Sequence, residues 1–320
     1  MNPEHHHSNE IKDSTQYYAA IEAANKESYL LHEPAKLEVI HSLHSVGESR
    51  DLLNDAGQAA ARIILSGNMS TLNGYGPNEL TPEMRKTDAQ NNVQLLLEQY
   101  AINPKEVRLL APERDYTTPL TKINLDTTEL EYDDAGIQRP VTKGDFIYSY
   151  KPETVLAVRP ADCPVAFISG ETPNGEISVL LHLAWLGTAH GYVQQAKEHL
   201  DELGFDWKSA QIRLSAGAHA QSYTYQNYDS DPREKFPVHE GLFLNVHKNK
   251  TGTYDFAIDA AAGTYKQIVK SWNIEPYQLF MDTTDTAAAD AGYSSHSRSY
   301  KGYPGVGGEN SRDLIIARRQ

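Results

Sequence analysis

Apolar and polar positions between Val155 and Gly191 fall into a pattern that predicts three short strands and a helix. Val155 to Val158 and Val165 to Ile168 are β-branched and apolar runs, and Ile177 to Leu183 is a third, set off by the turn-forming stretch ETPNGE. A Gly-containing turn, Leu186-Gly187-Thr188, leads into a helix from about His190 to Leu203. Its Val193, Ala196, Leu200 and Leu203 keep helical spacing, and Gly204 stops it.

Elsewhere the periodicity predicts helices over about Pro82 to Tyr100 and Asp259 to Trp272, and strands at Val107 to Leu110, Lys122 to Asp126, Gln211 to Ala216 and Tyr277 to Met281. Residues 1 to 15 are polar and aperiodic and read as a disordered tail. The Ala- and Leu-bearing segment Tyr17 to Leu65 reads as helical, giving a helical extension over residues 16–60 ahead of an α/β domain over 61–320. Gly, Asn, Pro and Thr dominate Ser66 to Glu83, which reads as a long loop. Tyr223 to Lys235 reads as a polar aromatic surface loop, either framing an opening or a plain insertion.

Composition narrows the function classes. A chain of 320 residues with formal net charge -14 and pI near 5.4 opposes a nucleic-acid partner, which needs clustered Lys and Arg. One cysteine makes no internal disulfide, the chain opens without a charged and apolar signal pattern, and its apolar runs are short of a membrane span. A cytoplasmic protein acting on a small molecule, without membrane, is the expectation.

The chemistry-bearing residues sit in the first pattern. Cys163, the single cysteine, lies at the Pro-punctuated break between two predicted strands, and His182 lies near the end of the third, so a sheet can place thiol and imidazole side by side. Such a pair serves a metal or a nucleophilic mechanism, in which imidazole takes the thiol proton. Asp162 is a candidate to orient the imidazole. The bland alternative is a small buried apolar cysteine. His5, His6 and His7 form a short tract of the kind left by a terminus or able to bind metal, and His32, His41 and His44 read as surface or packing residues.

The segments PADC-PV (Pro160 to Val165) and HLAWLG (His182 to Gly187) resemble the TADCxPV and HAGWRG motifs of the multicopper polyphenol oxidoreductase, or laccase-domain, family. That family includes purine nucleoside phosphorylases and a peptidoglycan editing factor. Gly144-Asp145-Phe146, Ile258-Asp259-Ala260, Ser295 to Arg298 and Ser311-Arg312 resemble further family segments, so the likeness runs over roughly residues 60 to 320. It implies a mixed-sheet α/β fold of the YfiH-like, cysteine-hydrolase-like kind, and a purine nucleoside as substrate. It also implies zinc held by the Cys, the later His and an earlier His. Pro119 stands at the earlier position here, so Cys163 and His182 need a substitute ligand. His219, in the segment resembling the family's G-P-A-I-G-P-C-C-Y loop, is the first candidate, with His296 and His190 behind it. Leu186 replaces the Arg of HAGWRG, SGNMS replaces an Arg-Gly-Gly element, and no cysteine stands near Asp282. Arg298 and Arg312 are then the expected cationic substrate contacts.

Three expectations follow from different classes. In the first, Cys163, His182 and His219 hold zinc for metal-assisted phosphorolysis or deamination of a purine nucleoside. In the second, Cys163 and His182 act without metal as nucleophile and base in a hydrolase or amidase, a resemblance in fold to Cys/His toxin deamidases adding weight. In the third, the chain is a catalytically silent relative that binds a ligand or partner.

Overall fold

A computed structural model describes residues 16–25, 37–43, 50–53, 59–65, 82–113, 116, 119–288 and 314–319. Helix α1 covers residues 16–25, and strands β1 (Leu37–Leu43), β2 (Arg50–Leu53) and β3 (Ala59–Leu65) follow. After α2 (Pro82–Gln99) come β4 (Val107–Leu109), β5 (Lys122–Asn124), β6 (Leu130–Tyr132), β7 (Gln138–Pro140), β8 (Phe146–Ser149) and β9 (Val155–Val158). The hairpin β10 (Val165–Thr172) and β11 (Gly175–His182) leads to α3 (Trp185–Ala189), α4 (Tyr192–Glu202) and β12 (Gln211–Leu214). The chain continues through β13 (Thr224–Tyr228), α5 (Pro232–Lys235), β14 (Phe243–Lys248), β15 (Tyr254–Ile258), α6 (Ala260–Ser271) and β16 (Leu279–Met281) to β17 (Ile315–Arg319).

These strands form two large mixed sheets and a small one. The eight-stranded sheet runs β2-β3-β1-β17-β9-β4-β7-β6, the six-stranded sheet β16-β12-β10-β11-β8-β5, and the three-stranded sheet β13-β15-β14. Leu156, Val158, Ile315 and Ala317 of the first large sheet pack against Ile147, Val165, Phe167 and Leu180 of the second. On the outer face of the six-stranded sheet, Phe146, Ala166, Ile168 and Leu181 meet Tyr18 and Ile21 of α1, Val193, Ala196 and Leu200 of α4, and Tyr265 and Ile268 of α6. The outer face of the other sheet is covered by Val93, Leu96 and Leu97 of α2. Alternate residues of β8 and β10 therefore face different apolar layers, which is why these strands are apolar throughout.

The mixed-sheet α/β expectation is met. The helical reading of Tyr17 to Leu65 needs correction: residues 16–25 are helical, whereas β1, β2 and β3 join the eight-stranded sheet and take the place of the rest of a helical extension over 16–60. β1 pairs antiparallel with β17 and parallel with β3. Ladder bonds from the Ala-rich strand β3 to β1 and β2 override its helix preference, as tertiary context does. The loop expected from Tyr223 to Lys235 is corrected as well, since β13 pairs antiparallel with β15 and α5 follows it. The expected tail at 1–15, the loop from Ser66 to residue 81, and His5, His6, His7, His32 and His44 lie outside the described residues. Among the described residues no helix is long and apolar enough to cross a membrane.

Candidate active site

Sheet register alone explains how the site assembles. β9 belongs to one large sheet and β10 to the other, so the segment from Arg159 to Pro164 is the crossing between them, and it carries Cys163. In the β10–β11 ladder Val165 opposes His182, and the Leu183 N–H donates to the Pro164 carbonyl at 3.0 Å. Cys163 lies two residues before Val165, ahead of the strand, and lines the same cavity as His182. In the β8–β11 ladder Leu181 opposes Phe146, which sets Asp145 opposite His182; the His182 N–H donates to the Asp145 carbonyl at 2.8 Å. Gly144 fits before it because a Cβ there would lie 2.9 Å from the Thr121 carbonyl oxygen.

Asp145 and His182 form a buried pair beside Cys163. Asp145 Oδ1 lies 2.8 Å from His182 Nδ1, with Asp145 1% and His182 4% exposed. Cys163 and His182 line the same cavity, and with Nδ1 directed at Asp145 the ring atom left to serve the sulfur is Nε2. Burial works against a charged imidazole, but the neighbouring Cys163 and the Asp145 carboxylate bonded to the ring outweigh it and push the His182 pKa up from 6.5 to about 10. Asp145 was not singled out for this role from the sequence. Its available signal was a carboxylate at the mouth of an apolar strand, where it must find a buried partner.

Asp162, the orienting carboxylate considered from sequence, accepts instead from Thr286 Oγ1 at 2.9 Å. His219 is buried and its ring stacks on Tyr18 at 3.8 Å between centroids, with burial holding its pKa below 6.5. It is not among the residues that line the cavity at Cys163 and His182. His190 closes α3 and lies edge-on to Phe236. His296, Arg298 and Arg312 lie outside the described residues, and Pro119 is exposed.

The donor set bears on a metal. A zinc centre uses three or four protein ligands, and among the described residues no three His, Cys, Asp or Glu side chains gather into a set able to hold an ion. Cys163, His182 and His219 are not brought together among the described residues. The described residues therefore do not fit a three-ligand centre.

Cys163 and His182 open onto a cavity of about 630 Å³. Trp185, Tyr223 and Tyr225 line one part of it, and Arg159, Arg139 and Asp133 another. Trp185 packs edge-on against Tyr225, Phe236 and Phe243, and Tyr225 stacks on Phe256, so the aromatic wall is built on the three-stranded sheet. Arg159 is clamped by Asp133 Oδ2 at 2.5 Å, and Asp133 Oδ1 accepts from the Ala135 and Ile137 N–H groups.

Comparison with solved structures returns the same architecture at low identity. The chain is similar to the Bacillus licheniformis hypothetical protein YfiH, with TM-score 0.56 at 16% identity over 73% of this chain and 82% of that one. It is similar to YlmD from Geobacillus stearothermophilus, with TM-score 0.56 at 17% identity over 87% and 90%. Against the Neisseria meningitidis protein NMB0706 the TM-score is 0.56 at 15% identity over 90% and 96%. Comparison with curated proteins returns no match. Residues 82–307 match the family described as multi-copper polyphenol oxidoreductase laccase, which spans more than half of the chain, and the protein belongs to that family.

Proposed function

We propose that the protein is a metal-independent cysteine hydrolase or amidase, with Cys163 as nucleophile, His182 as proton carrier and Asp145 as the residue that orients His182. The observation that supports this most is the Asp145–His182 bond at 2.8 Å, with His182 and the single cysteine lining one cavity. A buried carboxylate on Nδ1 fixes the tautomer and leaves Nε2 to serve the sulfur. The sulfur attacks an electrophilic carbon, and the imidazolium returns its proton to the departing nitrogen or oxygen; water then attacks the thioester with His182 as base.

The aromatic wall favours a planar group, so a purine nucleoside stays as the second reading, now through cysteine attack on the amidine carbon with ammonia leaving. Both readings predict rapid alkylation of Cys163 by iodoacetamide, read by intact mass. The rate should fall at least tenfold in His182→Gln, and protein stripped of metal by chelation should react as fast as untreated protein. A thiol that reacts no faster than free cysteine, or a wild-type protein that needs stoichiometric zinc lost in Cys163→Ala, would overturn the proposal. A panel of amides, esters and nucleosides scored for acid or ammonia release separates the two substrate classes.

A further inference from the structure

Cys163 follows a residue in the left-handed backbone region, Asp162 at φ +68°. For a non-glycine residue this conformation is uncommon and persists where the surroundings hold it. Here they do. The Asp162 carbonyl accepts from the Ala218 N–H at 2.9 Å, and its Oδ1 accepts from Thr286 Oγ1 at 2.9 Å, with both side chains buried.

Thr286 is itself fixed. Its N–H donates to the Gly217 carbonyl at 3.2 Å, and the neighbouring Asp285 accepts from the His219 and Ala287 N–H groups and from Ser222 Oγ. Helix α1 ties down the start of the same segment, with Asn25 Nδ2 donating to the Met281 carbonyl at 2.8 Å and Thr283 Oγ1 donating to Glu22 at 2.8 Å. The turn that presents Cys163 is thus braced from two directions. At its end the Cys163 N–H has no acceptor among the described residues, and Cys163 lines the cavity.

We propose that Asp162 is a positioning residue whose held left-handed turn presents the Cys163 N–H as the donor to the oxyanion formed during acyl transfer. The inference rests on the reading of Cys163 as nucleophile. As the sulfur forms its bond to the carbonyl carbon, the carbonyl π electrons move to oxygen, and the Cys163 N–H donates to that oxygen. Collapse restores the carbonyl and expels the leaving group, which takes its proton from His182 when it needs one.

Two reagents separate this role from thiol reactivity. p-Nitrophenyl acetate acylates the single cysteine through a tetrahedral oxyanion, whereas iodoacetamide alkylates it at a saturated carbon and forms none. In Thr286→Val and in Asp162→Ala we expect the acylation rate to fall about tenfold or more, since loss of an oxyanion donor costs about 10²–10³. The alkylation rate should stay within about twofold, as no oxyanion donor is involved in that step. Asp162→Asn, which keeps an acceptor for Thr286 and tolerates the left-handed region, should restore acylation. Unchanged acylation in both variants, or equal loss of acylation and alkylation, overturns the proposal. Wild-type protein whose cysteine resists both reagents instead overturns the nucleophile reading, and this proposal with it.

Discussion

Asp145 and His182 oppose each other across the β8–β11 ladder and are joined twice, by the 2.8 Å side-chain bond and by the 2.8 Å bond from the His182 N–H to the Asp145 carbonyl. The backbone bond keeps the ring beside residue 145 whatever its side chain. Asp145→Asn should therefore keep the fold yet lose tautomer control, and acylation of Cys163 should fall by about 10²–10⁴. Stopped-flow acylation with an activated ester measures it; a loss of less than threefold would remove Asp145 from the mechanism.

Raising the His182 pKa from 6.5 to about 10 makes the folded state hold a proton that the unfolded state releases. The resulting stabilisation is fully present below pH 6.5 and is lost as pH rises through about 10. Urea midpoints should decline over that window in the wild type and decline less in His182→Gln. Equal slopes in the two proteins would contradict the coupling.

His219 behaves with the opposite sign. Burial depresses its pKa, so the unfolded chain binds its proton first, and stability falls as pH drops below 6.5 and through the lower folded value. The neutral ring is sandwiched on Tyr18 at 3.8 Å. Replacement by Phe should flatten the acid limb of the stability profile, measured by thermal melts between pH 7 and 5.

Helix α3 passes close to the start of α4, and a Cβ on Gly187 would lie 2.6 Å from the Tyr192 ring, which is buried. Gly187→Ala should lower stability by about 1–3 kcal/mol, the usual cost of forcing extra volume into a packed site. Differential scanning calorimetry against the wild type checks it, and an unchanged melting temperature would show that Tyr192 yields freely.

Tyr18 anchors α1 by donating its hydroxyl to Asp259 Oδ1 at 2.5 Å while accepting from the Ala262 N–H at 3.1 Å. Tyr18→Phe keeps the stack on His219 and removes both bonds, at a cost of about 0.5–1.5 kcal/mol, since Asp259 Oδ1 and the Ala262 N–H keep their bond to each other. Hydrogen exchange should then accelerate within residues 16–25 before it does in α6.

What the sequence disclosed depended on whether a feature is local. The runs at Val155 to Val158, Val165 to Ile168 and Ile177 to Leu183 carry their own periodicity, and with them came the convergence of Cys163 and His182. The helix from Asp259 is marked by spacing and by an Asp whose side chain caps it through the Ala262 N–H. Asp145 stayed hidden because nothing in its own neighbourhood points to a residue 37 positions later; only strand order does. Strand β1 is missed by a helical reading of its own sequence for the same reason, since its antiparallel ladder partner begins at Ile315.

That last pairing has a consequence for biosynthesis. β17 lies between β1 and β9, so strands from the beginning and the middle of the chain are joined through residues 315–319. A ribosome must have delivered residues 315–319 before the larger sheet is able to close, and until then β1 and β9 each present an unsatisfied edge. Contacts of such long sequence separation also slow the search for the native arrangement. Nascent chains stalled upstream of Ile315 should accordingly be targets for chaperones.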